Sequence, residues 1–400
     1  MTQPNEATSG RTLIPLAWSS FFLIGWTGLL VPALIRSIEE RFSQSDAGLG
    51  AFYFVLAVCY AIGSLGGGLL TERIDRRVVL SGSAILMAVG LALQAVAPSW
   101  LPFVAASIPL GIGSGSIDAG MNGLVLAISR RRPAGSMNAL HVFFSVGALS
   151  SPFVVGRLVA SGVPWQQVLV ATAVVAAVIG LLLARQAIPS GRPIPRDPPA
   201  ARSAVSPAAR SQDVRSALPL IALAISIAAY VASEIGVSSW LVRFLASASV
   251  ETATTALAIF WGGLTVGRLL SIRVADRLPP VVFAAVCSVA AAVALAAAAV
   301  VPDQTASIAL FGVLGLAYGP IYPLIMTVAG ALYPHRLAAV TGTLGASAVV
   351  GSIVYPPLVG LLSVSVGIGV ALLGGAGLSL VCALALVGAW VSATAIASRA

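Results

Sequence analysis

The sequence predicts an all-α membrane protein with twelve transmembrane helices arranged as two pseudo-symmetric six-helix bundles. Hydrophobic residues make up 58% of the 400 residues and charged residues 9%, and the mean hydropathy of +1.00 exceeds that of soluble globular domains. Apolar runs of about 20 residues recur along the chain without the alternation expected of barrel strands. Glycines, prolines and charged turn residues of the first half also recur in the second half at one constant spacing.

Each apolar run can cross a hydrocarbon core about 30 Å thick, because a helix rises about 1.5 Å per residue. Residues 1–12 are polar and the first run is long enough to span, so no cleavable signal peptide is expected. In chain order, the predicted spans are residues 13–35, 47–71, 78–97, 100–128, 135–160, 166–187, 217–242, 252–274, 280–301, 304–331, 337–362 and 367–395.

The longest break between spans is residues 188–216, a segment rich in Pro, Ser and Arg that is unable to form a packed core. This break predicts three parts: an N-terminal six-helix bundle at residues 1–187, a linker at residues 188–216, and a C-terminal six-helix bundle at residues 217–400.

The arginines predict the orientation in the membrane. All 22 basic residues are arginine, and seventeen of them fall in the N-terminus, the even-numbered loops or the C-terminus. The opposite side carries only Arg36, Arg41, Arg157 and Arg243. The positive-inside rule therefore places both termini and the linker in the cytoplasm of a multi-pass protein of the inner or plasma membrane. The formal charge of +9 indicates an anionic lipid leaflet rather than nucleic acid as the partner.

The two halves repeat each other at an offset of 204 residues. One shared offset across four helices is hard to obtain by chance, even in a chain with 40 glycines. Parallel repeats of six spans are typical of the major facilitator superfamily, so the sequence resembles that family. The matched residues are Gly63 with Gly267, Glu72-Arg73 with Asp276-Arg277, Gly111 and Gly115 with Gly315 and Gly319, and Gly147, Pro152 and Gly156 with Gly351, Pro356 and Gly360.

The loop after the second span reads GLLTERIDRR, residues 68–77. It resembles the superfamily signature G-x-L-x-D-R-x-G-R-R, with Glu72 in the aspartate position and Asp75 where the second glycine is expected. In that family the loop pairs acids with bases and holds the cytoplasmic side closed; the alternative is a solvated turn. The resemblance implies a cytoplasmic gate made of Gly68, Glu72, Arg73, Asp75, Arg76, Arg77, Asp276 and Arg277.

Two carboxylates fall near mid-membrane, where charge is costly and marks a functional site by default. Asp118, with Asn122 one helical turn away, lies roughly 18 Å along its helix from Arg130, and Glu234 lies roughly 14 Å from Arg243. One acid from each half is therefore expected to face a common cavity.

Either acid can exchange a proton as its hydration changes, so we expect cation coupling at Asp118 and Glu234. The alternative coupling ion is sodium, held by the oxygens of Asp118 and Asn122. A purely structural role, in which an acid neutralises a cation such as Arg268 or joins two helices, remains open.

Further polar and aromatic residues are candidates for the same cavity. His141 is expected in the proton relay because imidazole titrates in the useful range, or else as a neutral histidine bonded to a carbonyl. Trp26 and Trp240 can stack on a sugar, although interfacial tryptophans are common. Asn138 has a role at the helix start as its alternative, and the two tyrosines have packing as theirs. The expected solute-binding residues are Asn122, Asn138, Trp26, Trp240, Tyr318 and Tyr322.

Three motifs give a narrower resemblance. DAGMN at residues 118–122, LHVFFSVGALSSP at 140–152 and YVASEIGVSSW at 230–240 resemble the fucose permease-like sugar:cation symporters, including the sodium-glucose transporter-like branch. The resemblance implies that Asp118 occupies the position of a coupling acid and that Glu234 matches a recurrent seventh-helix glutamate. The first span lacks the acid that fucose permease uses, so fucose itself is not implied.

These observations predict a secondary transporter, not an enzyme, since no nucleophile, metal cluster or phosphate-binding loop is present. The expected solute is small and polar, a sugar in the first instance, moved by symport with H+ or Na+ and without a cofactor or bound metal. The partners are the solute and the bilayer, and the protein is expected to be a monomer. The alternative is a proton-coupled exporter, favoured by GALSSPFVVG at residues 147–156 and opposed by Ser107 where exporters carry arginine.

Overall fold

The computed structural model describes residues 6–129, 133–188, 207–274, 277–333 and 336–397. Within these ranges the secondary structure is helical and contains no strand. The helices are α1 (Glu6–Phe42), α2 (Asp46–Arg73), α3 (Arg76–Ala95), α4 (Trp100–Ala105), α5 (Ser107–Ile128), α6 (Pro133–Ala160), α7 (Trp165–Ala184), α8 (Pro207–Phe244), α9 (Val250–Val274), α10 (Pro280–Val300), α11 (Gln304–Tyr318), α12 (Ile321–Leu332), α13 (Leu337–Val366) and α14 (Ile368–Ala397).

Twelve segments in the described residues are long and apolar enough to cross a membrane, which confirms the predicted spans. The first span extends further than predicted, from Leu13 to Phe42. Two spans each consist of two helices. A proline has no N–H to continue the helical ladder, and Pro109 and Pro320 lie just after the breaks at Ala106 and Gly319.

The chain forms two compact units. Unit 1 comprises Met1–Ile194 and Leu241–Ala258, and unit 2 comprises Pro195–Trp240 and Ile259–Ala400. The segment Leu241–Ala258, which the sequence assigns to the second half, therefore clusters with unit 1. In unit 1, α2 packs on α5, α1 on α6 and α3 on α7; in unit 2, α10 packs on both α11 and α14.

The internal repeat is present in the packing as well as in the sequence. A Cβ on Gly115 would overlap the carbonyl oxygen of Tyr60, and a Cβ on Gly319 would overlap the carbonyl oxygen of Leu264. The two partners are separated by the same 204 residues as the two glycines. Glycine is needed at both places because the backbones of two helices approach closely there, as in small-residue helix contacts of membrane proteins. The contact between α2 and α5 is thus repeated between α9 and α11.

Candidate functional site

The close contact between α2 and α5 brings Tyr60 to Asp118 in unit 1. Glycines on both helices line this contact, and the Ser116 hydroxyl donates a 2.9 Å hydrogen bond to the Gly63 carbonyl across it. Asp118 lies one turn beyond the contact, on the face of α5 that meets α2. The glycine-rich sequence around Asp118 therefore positions the acid through helix packing.

Asp118 accepts hydrogen bonds from two neutral side chains. The Tyr60 hydroxyl donates to Asp118 Oδ2 at 2.7 Å, and Asn122 Nδ2 donates to Asp118 Oδ1 at 3.0 Å. Asn122 Nδ2 also donates to the Asp118 backbone carbonyl at 3.0 Å. Among the described residues, each carboxylate oxygen thus has one side-chain donor, and these neutral donors stabilise the charge with no cation in contact.

The Asn122 amide is oriented with its nitrogen toward the carboxylate. Its oxygen, Oδ1, is buried and has no hydrogen-bond partner among the described residues. Sodium prefers oxygen ligands, so the amide would have to turn over to share such an ion with Asp118. Across the described residues, no three His, Cys, Asp or Glu side chains group together as a metal site.

Glu234 occupies a separate polar cluster in unit 2. Its side chain is buried, and Tyr230, one turn earlier on α8, is also buried. The Arg268 guanidinium on α9 lies close enough to Glu234 and to the Tyr230 hydroxyl for electrostatic interaction with both. The three side chains form a charge-balanced group away from the ends of their helices.

Tyr318 joins this cluster to its supporting helices. Its ring stands edge-on to the ring of Tyr230 at 5.6 Å, and its hydroxyl hydrogen-bonds with Ser233 at 2.5 Å and Ser379 at 3.1 Å. Tyr318 is fully buried, so this placement agrees with the packing interpretation that the sequence left open. Tyr322 is only half-buried, and its ring lies 6.5 Å from that of Tyr230.

The remaining candidates are spread over both units. In unit 1, Trp26 Nε1 donates to Thr172 Oγ1 at 3.1 Å, and the exposed His141 ring stands edge-on to Phe21 at 5.5 Å. In unit 2, Trp240 is fully buried, and its Nε1 donates to the Pro356 carbonyl at 2.8 Å. The side chain of Asn138 lies outside the described residues.

The segment predicted as a cytoplasmic gate, residues 68–77, runs from the last turns of α2 through Ile74 and Asp75 into the start of α3. Asp75 is the N-cap of this helix, and its side chain accepts a 2.8 Å hydrogen bond from the Arg77 backbone N–H. Asp75 therefore stands in the glycine position because it caps a helix. Arg76 is buried, whereas Arg73, Arg77 and Arg277 are exposed. Gly68 has open space where a Cβ would lie, and the Glu72 side chain and Asp276 are outside the described residues.

Sequence reasoning missed a second cluster in unit 1, at the arginine-poor end of the spans. Arg36 of α1 donates hydrogen bonds to the carbonyls of Val242, Leu245 and Ala248. Arg243 Nε lies 3.1 Å from Glu39 Oε2 and 3.0 Å from Asp46 Oδ1. The sequence did contain a sign of this cluster, because Arg36 and Arg243 lie near helix ends on the side where the positive-inside rule expects few arginines.

Sequence reasoning also missed Tyr60. The spacing of Tyr60 from Gly63 and Gly67 places all three on one face of α2. The sequence does not show which helix that face contacts.

The architecture and the internal repeat agree with one family of transporters. The family model of the Major Facilitator Superfamily matches residues 16–311 and 246–399. The chain belongs to the major facilitator superfamily. The resemblance predicted from the loop after the second span and from the repeat is therefore confirmed.

Relatives within the superfamily differ in the solute for which they are named. The chain is 25% identical over 370 residues to the gentisate transporter of Corynebacterium glutamicum, covering 88% of this chain and 82% of that protein. It is 28% identical over 398 residues to the glucose/galactose transporter of Brucella abortus, covering 92% of this chain and 90% of that protein. These relatives agree with the predicted sugar symporter group and identify a transport protein.

A solved structure shows the same fold. The inward-open xylose transporter XylE from E. coli superimposes with a TM-score of 0.73 at 14% sequence identity, covering 94% of this chain and 95% of that chain. At this level of identity, the structural similarity indicates the fold alone and gives no information about the solute.

Proposed function

We propose that this superfamily member is a secondary active transporter that moves a small polar solute, a sugar or related compound, by cation-coupled symport through alternating access. The observation that carries the proposal is the half-buried Asp118, held by Tyr60 and Asn122 inside a membrane span. A carboxylate in that position is costly and is retained where it binds and releases a cation. The glucose/galactose transporter relative supports the sugar class.

The geometry around Asp118 favours a proton over sodium as the coupling ion. A proton needs only the carboxylate, whereas sodium needs several oxygen ligands, and Asn122 presents its amide nitrogen. Glu234 is the second candidate for proton exchange, since its charge is balanced by Arg268. His141 remains a candidate relay member. The proposed mechanism uses the coupling ion and needs no cofactor.

The proposed setting is the inner or plasma membrane with both termini in the cytoplasm, and the working unit is a monomer. Transport requires no covalent step, so the protein acts on its solute without being an enzyme. The alternative is proton-coupled export. Against it, the position where exporters carry a fourth-helix arginine holds Ser107, which is fully buried and accepts a 3.4 Å hydrogen bond from Gln94.

The test is uptake by proteoliposomes that contain the purified full chain. Labelled glucose, galactose and related compounds are supplied with an imposed pH gradient or an imposed sodium gradient, each alone. We expect accumulation with the pH gradient, and loss of accumulation in Asp118→Asn. The matched control is Asp303→Asn, because Asp303 is an exposed N-cap of α11 and asparagine caps equally well. Wild-type accumulation and pH dependence in Asp118→Asn would show the coupling role to be wrong, and efflux driven by the same gradient would indicate an exporter.

A further inference from the structure

Unit 2 offers an unusual set of polar groups for a sugar site. From residue 217 to the end, the sequence contains no asparagine and one glutamine, Gln304, at the start of α11. A sugar presents many hydroxyls, each of which donates and accepts, and amide side chains meet both needs at once. In the described spans of unit 2, the charged residues away from the helix ends are Glu234 and Arg268.

Arg268 is a specific addition to one half of the molecule. At the offset of 204 residues, Arg268 corresponds to Ser64 in the first half, and Tyr322 corresponds to Asp118. The backbones at these two positions make equivalent contacts: that of Ser64 packs against Gly115, and that of Arg268 packs against Gly319. The shared packing therefore does not require the guanidinium, because Ser64 occupies the equivalent position in the first half.

Glu234 and Arg268 balance each other in this structure. The charged or titratable groups that act on Glu234 among the described residues are Arg268, Tyr230 and Tyr318. When Glu234 takes up a proton, the negative charge that it presents to Arg268 is lost, and a cation inside a membrane protein is unfavourable when its compensation falls. A second anion that arrived with the proton would restore the balance.

We propose that the solute carries a carboxylate, and that Arg268 binds this carboxylate in place of Glu234 when Glu234 is protonated. One proton adds to the Glu234 carboxylate to give the acid, Arg268 stays charged, and the solute carboxylate accepts two parallel hydrogen bonds from the guanidinium. The net charge of the cluster is unchanged. On release, Glu234 gives its proton to water, the solute leaves as a carboxylate, and the charge of Glu234 again compensates Arg268. Proton and solute therefore bind together, which is the requirement for symport.

Two tyrosines of the cluster favour a carboxylate that also carries hydroxyls. Tyr322 is half-buried and its ring lies 6.5 Å from that of Tyr230, so the pair brings hydroxyls and aromatic ring faces to the cluster. A sugar acid and a dihydroxybenzoate share this chemistry. The inference rests on the proposed function and narrows its solute from any sugar-like compound to the carboxylated ones.

The test uses two pairs of probes that differ by the carboxylate. The pairs are D-gluconate with D-glucose, and 2,5-dihydroxybenzoate with 1,4-dihydroxybenzene. Thermal unfolding of the detergent-purified full chain is measured with each probe at pH 6 and pH 8, since a ligand that binds the folded state raises the unfolding temperature. We expect at least one carboxylate to stabilise the protein, more strongly at pH 6, and its neutral partner to bind about 10-fold more weakly or not at all.

Variants connect the binding to the two residues. In Arg268→Gln the carboxylate should lose its advantage over the neutral partner. Arg185→Gln, an exposed arginine at the end of α7, should keep that advantage. In Glu234→Gln, a permanently neutral side chain, carboxylate binding should become the same at pH 6 and pH 8. If Arg268→Gln fails to fold, Glu234→Gln is the remaining test: loss of the pH dependence of carboxylate binding supports the inference, and its retention overturns the inference.

The failures of the two proposals are distinguishable. Gradient-driven uptake of neutral probes with no preference for carboxylates would overturn the inference and leave symport intact. If carboxylates bind in a manner that depends on Arg268 but no gradient drives their uptake, the inference stands and the proposed symport is overturned. Failure of every carboxylate probe to bind, or full retention of carboxylate preference in Arg268→Gln, would also overturn the inference.

Discussion

The Tyr60 hydroxyl donates a 2.7 Å hydrogen bond to Asp118 Oδ2, across the contact between α2 and α5. The same contact packs Gly115 against the Tyr60 backbone. Helix packing and the environment of the acid are therefore set by one interface, and a change in either should be measurable in the other.

Tyr60→Phe removes one of the two side-chain donors to Asp118. A hydrogen bond to a charged group contributes about 1.5–3 kcal/mol, so we expect gradient-driven uptake to fall about 10-fold or more. Tyr355→Phe is the matched control, because its hydroxyl donates to a backbone carbonyl, that of Ala371 at 2.9 Å, and not to a carboxylate. Initial rates in proteoliposomes measure both. Equal losses in the two variants would assign Tyr60 a purely structural role.

Replacing sodium by choline at constant pH gradient should leave uptake unchanged within about twofold. The reason is the orientation of Asn122, which gives Asp118 a donor and not a second oxygen ligand. A loss of uptake without sodium, restored by sodium in a saturable manner, would show that the amide turns over and that sodium is the coupling ion.

Gly115→Ala should reduce the yield and thermal stability of the folded protein, because the added methyl group overlaps the Tyr60 carbonyl oxygen. Gly66→Ala, on α2 with open space at its Cβ position, is the control and should be neutral or slightly stabilising, since alanine favours helix. Size-exclusion profiles and unfolding temperatures in detergent provide the comparison. Equal stability of the two alanine variants would contradict the close approach of α2 and α5.

Arg36→Gln should lower the free energy of unfolding by about 2–4 kcal/mol. Arg36 caps the end of α8 through the carbonyl of Val242, and the last carbonyls of a helix otherwise have no partner. Arg41→Gln on the same helix is the control, because Arg41 is exposed and its guanidinium lies 5.5 Å from the ring of its neighbour Phe42. Denaturation curves would contradict the cap if both variants unfold alike.

Much of the fold was predictable because it depends on composition within each segment. Hydrophobic length defined every span, and the spacing of Gly111 and Gly115 against Gly315 and Gly319 anticipated a packing repeat that the structure contains. The breaks at Ala106 and Gly319 were also present in the sequence as nearby prolines, but a proline alone does not show whether a helix ends or only bends.

The candidate site was only partly predictable. Asp118 and Asn122 stand out in the sequence as polar residues one turn apart in an apolar run, and their hydrogen bond follows from helix geometry. Tyr318 and Tyr322 look equivalent in sequence, one turn apart. Only packing against Ser233 and Ser379 distinguishes the buried Tyr318 from the half-buried Tyr322.

The sequence by itself determined the membrane-spanning class, the twelve spans, the two-fold repeat and the family, since all of these are written in local hydropathy and in residue spacing. The tertiary structure decided which side chain meets each charge. The Tyr60 hydroxyl donates a hydrogen bond to Asp118 from another helix, and Arg268, also on another helix, interacts electrostatically with Glu234. Such pairs depend on how two helices rotate and cross, and that geometry is fixed by close packing between backbones distant along the chain.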